Sequence, residues 1–152
     1  MVAASEGQSC EHRGMQDEAD DDAIRGADTH EGAYGLLQRG QELLSQRHNA
    51  QAAIVLERAA VLEPGRGSIL EALGRATFNA GSHARALEVF AALLDVDPSS
   101  AYGHFAVAQS MRKLGRAKEA VIHLRLACAL EPASQVYRGA LARAIAALPP
   151  EG

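Results

Sequence analysis

The side chains able to do chemistry in this sequence are six histidines, two cysteines, one dense run of carboxylates, and a set of aromatic rings and arginines. The histidines are His12, His30, His48, His83, His104 and His123, and none stands beside a cysteine or second histidine at zinc-ligand spacing. Cys10-x-His12 comes nearest, in a segment with no apolar period to hold it still. The run Asp17-Glu18-Ala19-Asp20-Asp21-Asp22 lacks the alternating oxygen ligands, turn glycine and closing glutamate of a calcium loop. No glycine loop leads into a basic residue and hydroxyl to cradle phosphate, and no strand–turn–serine elbow presents a nucleophile. With no acid–base pair to assign, the expectation is a protein that is not an enzyme and takes no metal or cofactor.

What remains is the chemistry of recognition. Tyr34, Phe78, Tyr102 and Phe105 are four of the six aromatic residues, and Arg75, Arg112 and Arg143 follow one another at intervals of 37 and 31 residues. Flat rings and planar guanidinium groups are the usual anchors of protein partners. They act together only if the chain brings them to one surface.

The chain's period decides that. Pro64, Pro98 and Pro132 lie 34 residues apart, closing the phrases Val61-Leu62-Glu63-Pro64, Asp95-Val96-Asp97-Pro98 and Ala129-Leu130-Glu131-Pro132. The same step aligns Gly40, Gly74 and Ala108; Ala52, Ala86 and Ala120; Leu56, Phe90 and Leu124; and Ala59, Leu93 and Ala127. Gly81 and Gly115 match at the inter-helix turn, where the first repeat has Arg47. Alanine, leucine, arginine and glutamate favour helix, and aromatics at 4% are too few for a sandwich or barrel.

Each repeat therefore reads as two helices, near 33–46 with 50–62, 68–80 with 84–96, and 101–113 with 118–130. Ser68-Ile69-Leu70-Glu71 has the capping-box pattern for a helix start. The small residues mark close helix contacts, the bulky Leu56, Phe90 and Leu124 are expected to fill the space between consecutive repeats, and proline ends the second helix. A seventh helix, capped by Ser134, is expected over 135–148, with a tail at 149–152. The fold class is all-α: a right-handed α-solenoid of three antiparallel helix pairs (about 33–66, 67–100 and 101–134) plus a terminal capping helix.

This pattern resembles the tetratricopeptide repeat family over about residues 33–148. The family's large aromatic early in the first helix is Leu36, Leu70 and His104 here, and its later tyrosine is Leu43, Thr77 and Met111. The resemblance implies an interaction module whose first helices line a concave groove. By helical spacing the groove stripe holds Tyr34, Leu37, Gln41 and Leu44; then Ser68, Glu71, Arg75 and Phe78; then Tyr102, Phe105, Gln109 and Arg112; and Val136, Gly139 and Arg143 on the last helix. Some members clamp the C-terminal carboxylate of large chaperones with lysine, asparagine and arginine. The matching positions are Leu37, Gln41, Ala72, Tyr102 and Ala106, which cannot build that clamp. The partner expected instead is a protein or peptide segment of apolar and acidic character.

Residues 1–32 are different material, with nine acids against two arginines, whereas residues 33–152 carry thirteen basic against ten acidic. The leader's composition predicts disorder, with Met15 as a candidate alternative start, and its charge would let it compete weakly for an arginine-bearing groove. The weakly positive body argues against a nucleic-acid partner. Two distant cysteines and the lack of a signal or spanning segment point to a cytoplasmic protein with no membrane insertion. On the last helix Tyr137, Ala140, Ala144, Ala147 and Leu148 are expected to form an apolar strip for self-association, as a weak homodimer. The leading function is an adaptor that holds a polypeptide segment. The alternatives are a chaperone for a secreted or assembling partner, or a self-assembling structural subunit.

Overall fold

The computed structural model describes residues 31–151, so nearly all of the acidic leader, including Cys10, His12, Met15 and His30, lies outside the described residues. Seven helices follow in order: α1 Gly32–Ser45, α2 Asn49–Leu62, α3 Gly67–Asn79, α4 His83–Val96, α5 Ala101–Lys113, α6 Ala117–Leu130 and α7 Gln135–Ala146. No strand occurs among the described residues. Successive helices pack against one another, giving an all-α helical-repeat solenoid.

The punctuation has a local cause at each turn. Within the three repeats the first helix ends in the same hydrogen-bonded motif: His48 N–H donates to Leu43 O, Ser82 N–H to Thr77 O and Arg116 N–H to Met111 O, at 2.8, 2.9 and 2.9 Å. That motif demands a left-handed residue one step earlier, which Gly81 (φ 89) and Gly115 (φ 80) supply without strain. The first repeat puts Arg47 there at φ 63, the one non-glycine residue with positive φ among those described. Between repeats the residue before each proline leaves the helical region: Glu63, Asp97 and Glu131 sit at φ −131, −137 and −131 with ψ near 80.

Ser134 caps α7 as expected, accepting from Tyr137 N–H at 3.3 Å, and Ser100 in the equivalent slot accepts from Gly103 N–H at 2.9 Å. The Ser68–Glu71 pattern is not used. Helix α3 starts one residue earlier, with Arg66 in the cap slot, no side-chain cap, and a 2.6 Å ion pair to Glu63.

The small and bulky slots explain how each pair closes. A Cβ added at Gly40 would lie closer than 3.0 Å to three Leu56 side-chain carbons, and one at Gly74 would lie equally close to three carbons of the Phe90 ring. Leu56 and Phe90 thus fill the hole left by a glycine on their own partner helix, rather than only the space between repeats. Phe90 does both, since its ring also meets Tyr102 of the next repeat edge-on at 6.1 Å. Ala52, Ala86, Ala120, Leu56 and Leu124 are fully buried in the same contiguous core. On the outside, Arg85 of α4 holds Glu57 of α2 with two bonds of 3.0 Å, tying one repeat to the next.

Candidate functional site

Helices α3 and α5, the first helices of neighbouring repeats, leave a pocket of about 280 Å³ between them. Arg75, Phe78 and Asn79 line it from α3, and Tyr102, Phe105, Ala106 and Gln109 from α5. Phe90 of α4 completes the lining, itself almost wholly buried. Arg75, Phe78, Tyr102, Phe105 and Gln109 fall there because helical spacing of three and four puts them on one stripe of each helix. Four aromatic rings converge around a single cavity. Among the described residues Arg75 has no ion-pair partner.

Burial shapes the electrostatics. The hydroxyl of Tyr102 is pushed up to about 12, chiefly because its ionised form would be poorly solvated; Arg75 pulls it down, while Glu71 and Tyr137 push it up. It therefore stays a neutral O–H that can donate to a ligand across the whole physiological range. Tyr137 is raised for the same main reason, with Glu131 and Glu71 adding to it. Arg112 is exposed beside the pocket and donates to Gln109 Oε1 at 3.3 Å.

Other members of the expected stripe lie elsewhere. Leu37 is 5% exposed and belongs to the core rather than to a groove, because α1 turns that side toward its neighbours. Tyr34 is 60% exposed and accepts a hydrogen bond from Gln38 Nε2 at 2.9 Å; Gln41 is exposed, and neither lines the pocket. Arg143 is exposed on α7, likewise outside the pocket lining. Asn79, Phe90 and Ala106 were not anticipated as lining residues. Asn79 stands four residues after Arg75 on the same stripe, so the spacing rule could have found it. Phe90 sits in a slot whose spacing points only to packing.

Of the strip expected for self-association, Tyr137, Ala140, Ala144 and Leu148 face inward and Ala147 is exposed. Tyr137 packs on Phe105 with ring centres 5.0 Å apart, Ala140 and Ala144 are 0% and 3% exposed, and Leu148 is half-buried against the core. The register gives the reason. Stepping back 34 residues from Tyr137, Ala140 and Ala144 leads to Gly103, Ala106 and Ser110, all buried on α5. The exposed large hydrophobic residues of α7 are Val136 and Ile145. No group of three or more potential metal ligands occurs among the described residues, and none of their helices is long and apolar enough to cross a membrane.

Known proteins share this architecture. The Superkiller complex protein 3 of Homo sapiens is 32% identical over 93 residues, as is that of Mus musculus; the match spans 61% of this chain but only 6% of those proteins. Among solved structures, the first TPR of Spaghetti (RPAP3), bound to the HSP90 peptide SRMEEVD, superposes with a TM-score of 0.73 at 16% identity, over 77% of this chain and 93% of that one. PcrH in complex with the chaperone binding region of PopB gives 0.65 at 21% identity, over 76% and 94%. The Yersinia enterocolitica chaperone SycD with a peptide of the translocator YopD gives 0.65 at 18% identity, over 74% and 86%. The family model for the tetratricopeptide repeat matches residues 37–101 and again 72–136, two windows whose union covers most of the helices described above. This chain belongs to the tetratricopeptide repeat family.

Proposed function

We propose that this protein is a non-enzymatic interaction module that holds a segment of another polypeptide in the groove formed by its first helices. The observation that carries the reading is the pocket between α3 and α5, where Phe78, Tyr102 and Phe105 surround about 280 Å³ beside the Arg75 guanidinium. That volume lies at the small end of ligand-pocket sizes, roughly 300 Å³ upward, and has room for a bulky side chain of a bound segment. The best occupant is a large apolar side chain, with a nearby carboxylate reaching Arg75 or Arg112. Repeat proteins of similar fold with peptides in place support a segment-holding role, including a chaperone role of the kind described for PcrH and SycD.

The test is selection of peptides from a random display library on the immobilised protein, followed by affinity measurement on single variants. Enrichment of an aromatic or leucine anchor within a few residues of an acid is expected. Arg75→Glu and Phe105→Ala should each weaken the selected peptides by about tenfold or more, the scale of a hot-spot contact. Peptides that bind both variants as well as the parent would place recognition elsewhere.

A further inference from the structure

One slot of the repeat breaks the array's own rule. In the first two repeats these slots hold Leu36 and Val55, then Leu70 and Val89, all buried and apolar. One and two periods on, the same slots hold His104 and His123. Their rings stack with centres 5.3 Å apart, and the two Nδ1 atoms approach to 3.1 Å. His104 is buried, His123 half-buried.

The partners fix where the protons sit. His104 Nε2 lies 2.9 Å from Pro98 O, which can only accept, so Nε2 carries the hydrogen. Neutral His104 then presents a bare Nδ1, and His123 must donate its Nδ1–H to it. One added proton can enter at His123 Nε2 without breaking this bond. A second has only His104 Nδ1 to take it, which would set N–H against N–H between two stacked cations.

From this geometry we propose that the His104–His123 pair is a proton-sensitive clasp between α5 and α6, which holds the third repeat closed above the ordinary histidine range and loosens it below. The surroundings do little to absorb the charge. On α6, Glu119 already takes Arg116 at 3.0 and 2.6 Å. From α4, Asp95 lines the same cavity as His123 and Arg116 without a hydrogen bond to either ring. In the turn before α5, Asp97 accepts from Ser99 N–H and Oγ–H.

Burial first, and then His104, hold His123 below the usual range; Glu119 opposes this and Arg116 adds to it. The unfolded chain takes protons at both rings near the ordinary value of about 6.5, while the folded clasp can take only one and keep its Nδ1–H···Nδ1 bond. Stability is therefore fully present above about pH 6.5 and is lost as pH falls toward the depressed folded value. A withheld proton lowers the folding constant by up to about tenfold per pH unit. Helix α5 also supplies Tyr102, Phe105 and Gln109 to the pocket, so ligand grip would fall with it; that consequence alone rests on the proposed groove function.

The test compares the full chain with the double variant His104→Leu/His123→Val, which restores the slot residues of the earlier repeats. Urea denaturation at about pH 7.5 and about pH 5 gives the folding constant of each, with no ligand involved. Between the two conditions the parent should lose on the order of tenfold more than the variant. The comparison cancels the remaining histidines. Equal losses overturn the clasp, even if peptide binding is later shown. Should the variant not fold, nitrogen NMR of the parent's rings decides: hydrogen on His123 Nδ1 and on His104 Nε2 is required, and two rings titrating independently at the ordinary value refute it.

Discussion

Replacing Gly74 with alanine sets two known effects against each other in one place. Gly74 lies in the middle of α3, where alanine is the better helix former by about 1 kcal/mol. The added Cβ, however, would stand closer than 3.0 Å to three carbons of the Phe90 ring, and that ring is 2% exposed. A flat ring enclosed in this way cannot swing clear as the end of a flexible chain could. Overpacking of this kind costs about 1–3 kcal/mol, and the upper half of that range applies. The net expectation is a loss of about 1–2 kcal/mol. Urea denaturation followed by circular dichroism reads it as a midpoint lower by about 1 M with an unchanged slope.

The array contains its own control, because the third repeat fills the same slots with Ala108 and Leu124, both fully buried. Phe90→Leu alone should cost about 1–2 kcal/mol through the space it leaves. Combined with Gly74→Ala it recreates the third repeat's pairing, so the two changes should rescue each other by at least about 1 kcal/mol. Costs that simply add, within about 0.5 kcal/mol, would refute the claim that glycine and ring are a lock-and-hole pair.

Three further outcomes follow from single features. Arg47→Gly relieves a left-handed arginine in a turn where the other repeats use glycine, and should raise stability by about 0.5–1 kcal/mol in the same denaturation assay. Ser134→Ala removes the side-chain acceptor for Tyr137 N–H and should cost about 1 kcal/mol, with faster amide exchange confined to α7. Ultraviolet titration should find Tyr102 ionising near 12; because the folded value is raised, the stability it contributes is present below about pH 10 and lost as pH climbs through about 12.

The fold was legible because each break in the chain has a short-range cause. Proline after Glu63, Asp97 and Glu131 forces the same non-helical residue three times, and glycine at positions 81 and 115 supplies the left-handed turn. The capping box at Ser68 misled because tertiary register, not local pattern, set the start of α3. The lining of the candidate pocket is legible where spacing alone determines a stripe, as for Arg75, Phe78, Tyr102, Phe105 and Gln109. Spacing fails at Leu37, whose neighbours in space are set by packing rather than by its own helix, and for the inner face of α7. There the 34-residue register leads to the buried slots Gly103, Ala106 and Ser110 on α5. The paired rings of His104 and His123 lie nineteen residues apart and become visible only when α5 and α6 are laid side by side.

The central claim is that a polypeptide segment is held between the first helices, and nuclear magnetic resonance of the labelled protein with a selected peptide tests it most directly. The account predicts that amide and side-chain shifts concentrate at Arg75, Phe78, Asn79, Tyr102, Phe105 and Gln109. Shifts gathered instead on α2 and α6, around the exposed Ile54, Ile122 and Leu126, would contradict it and move recognition to the opposite helices.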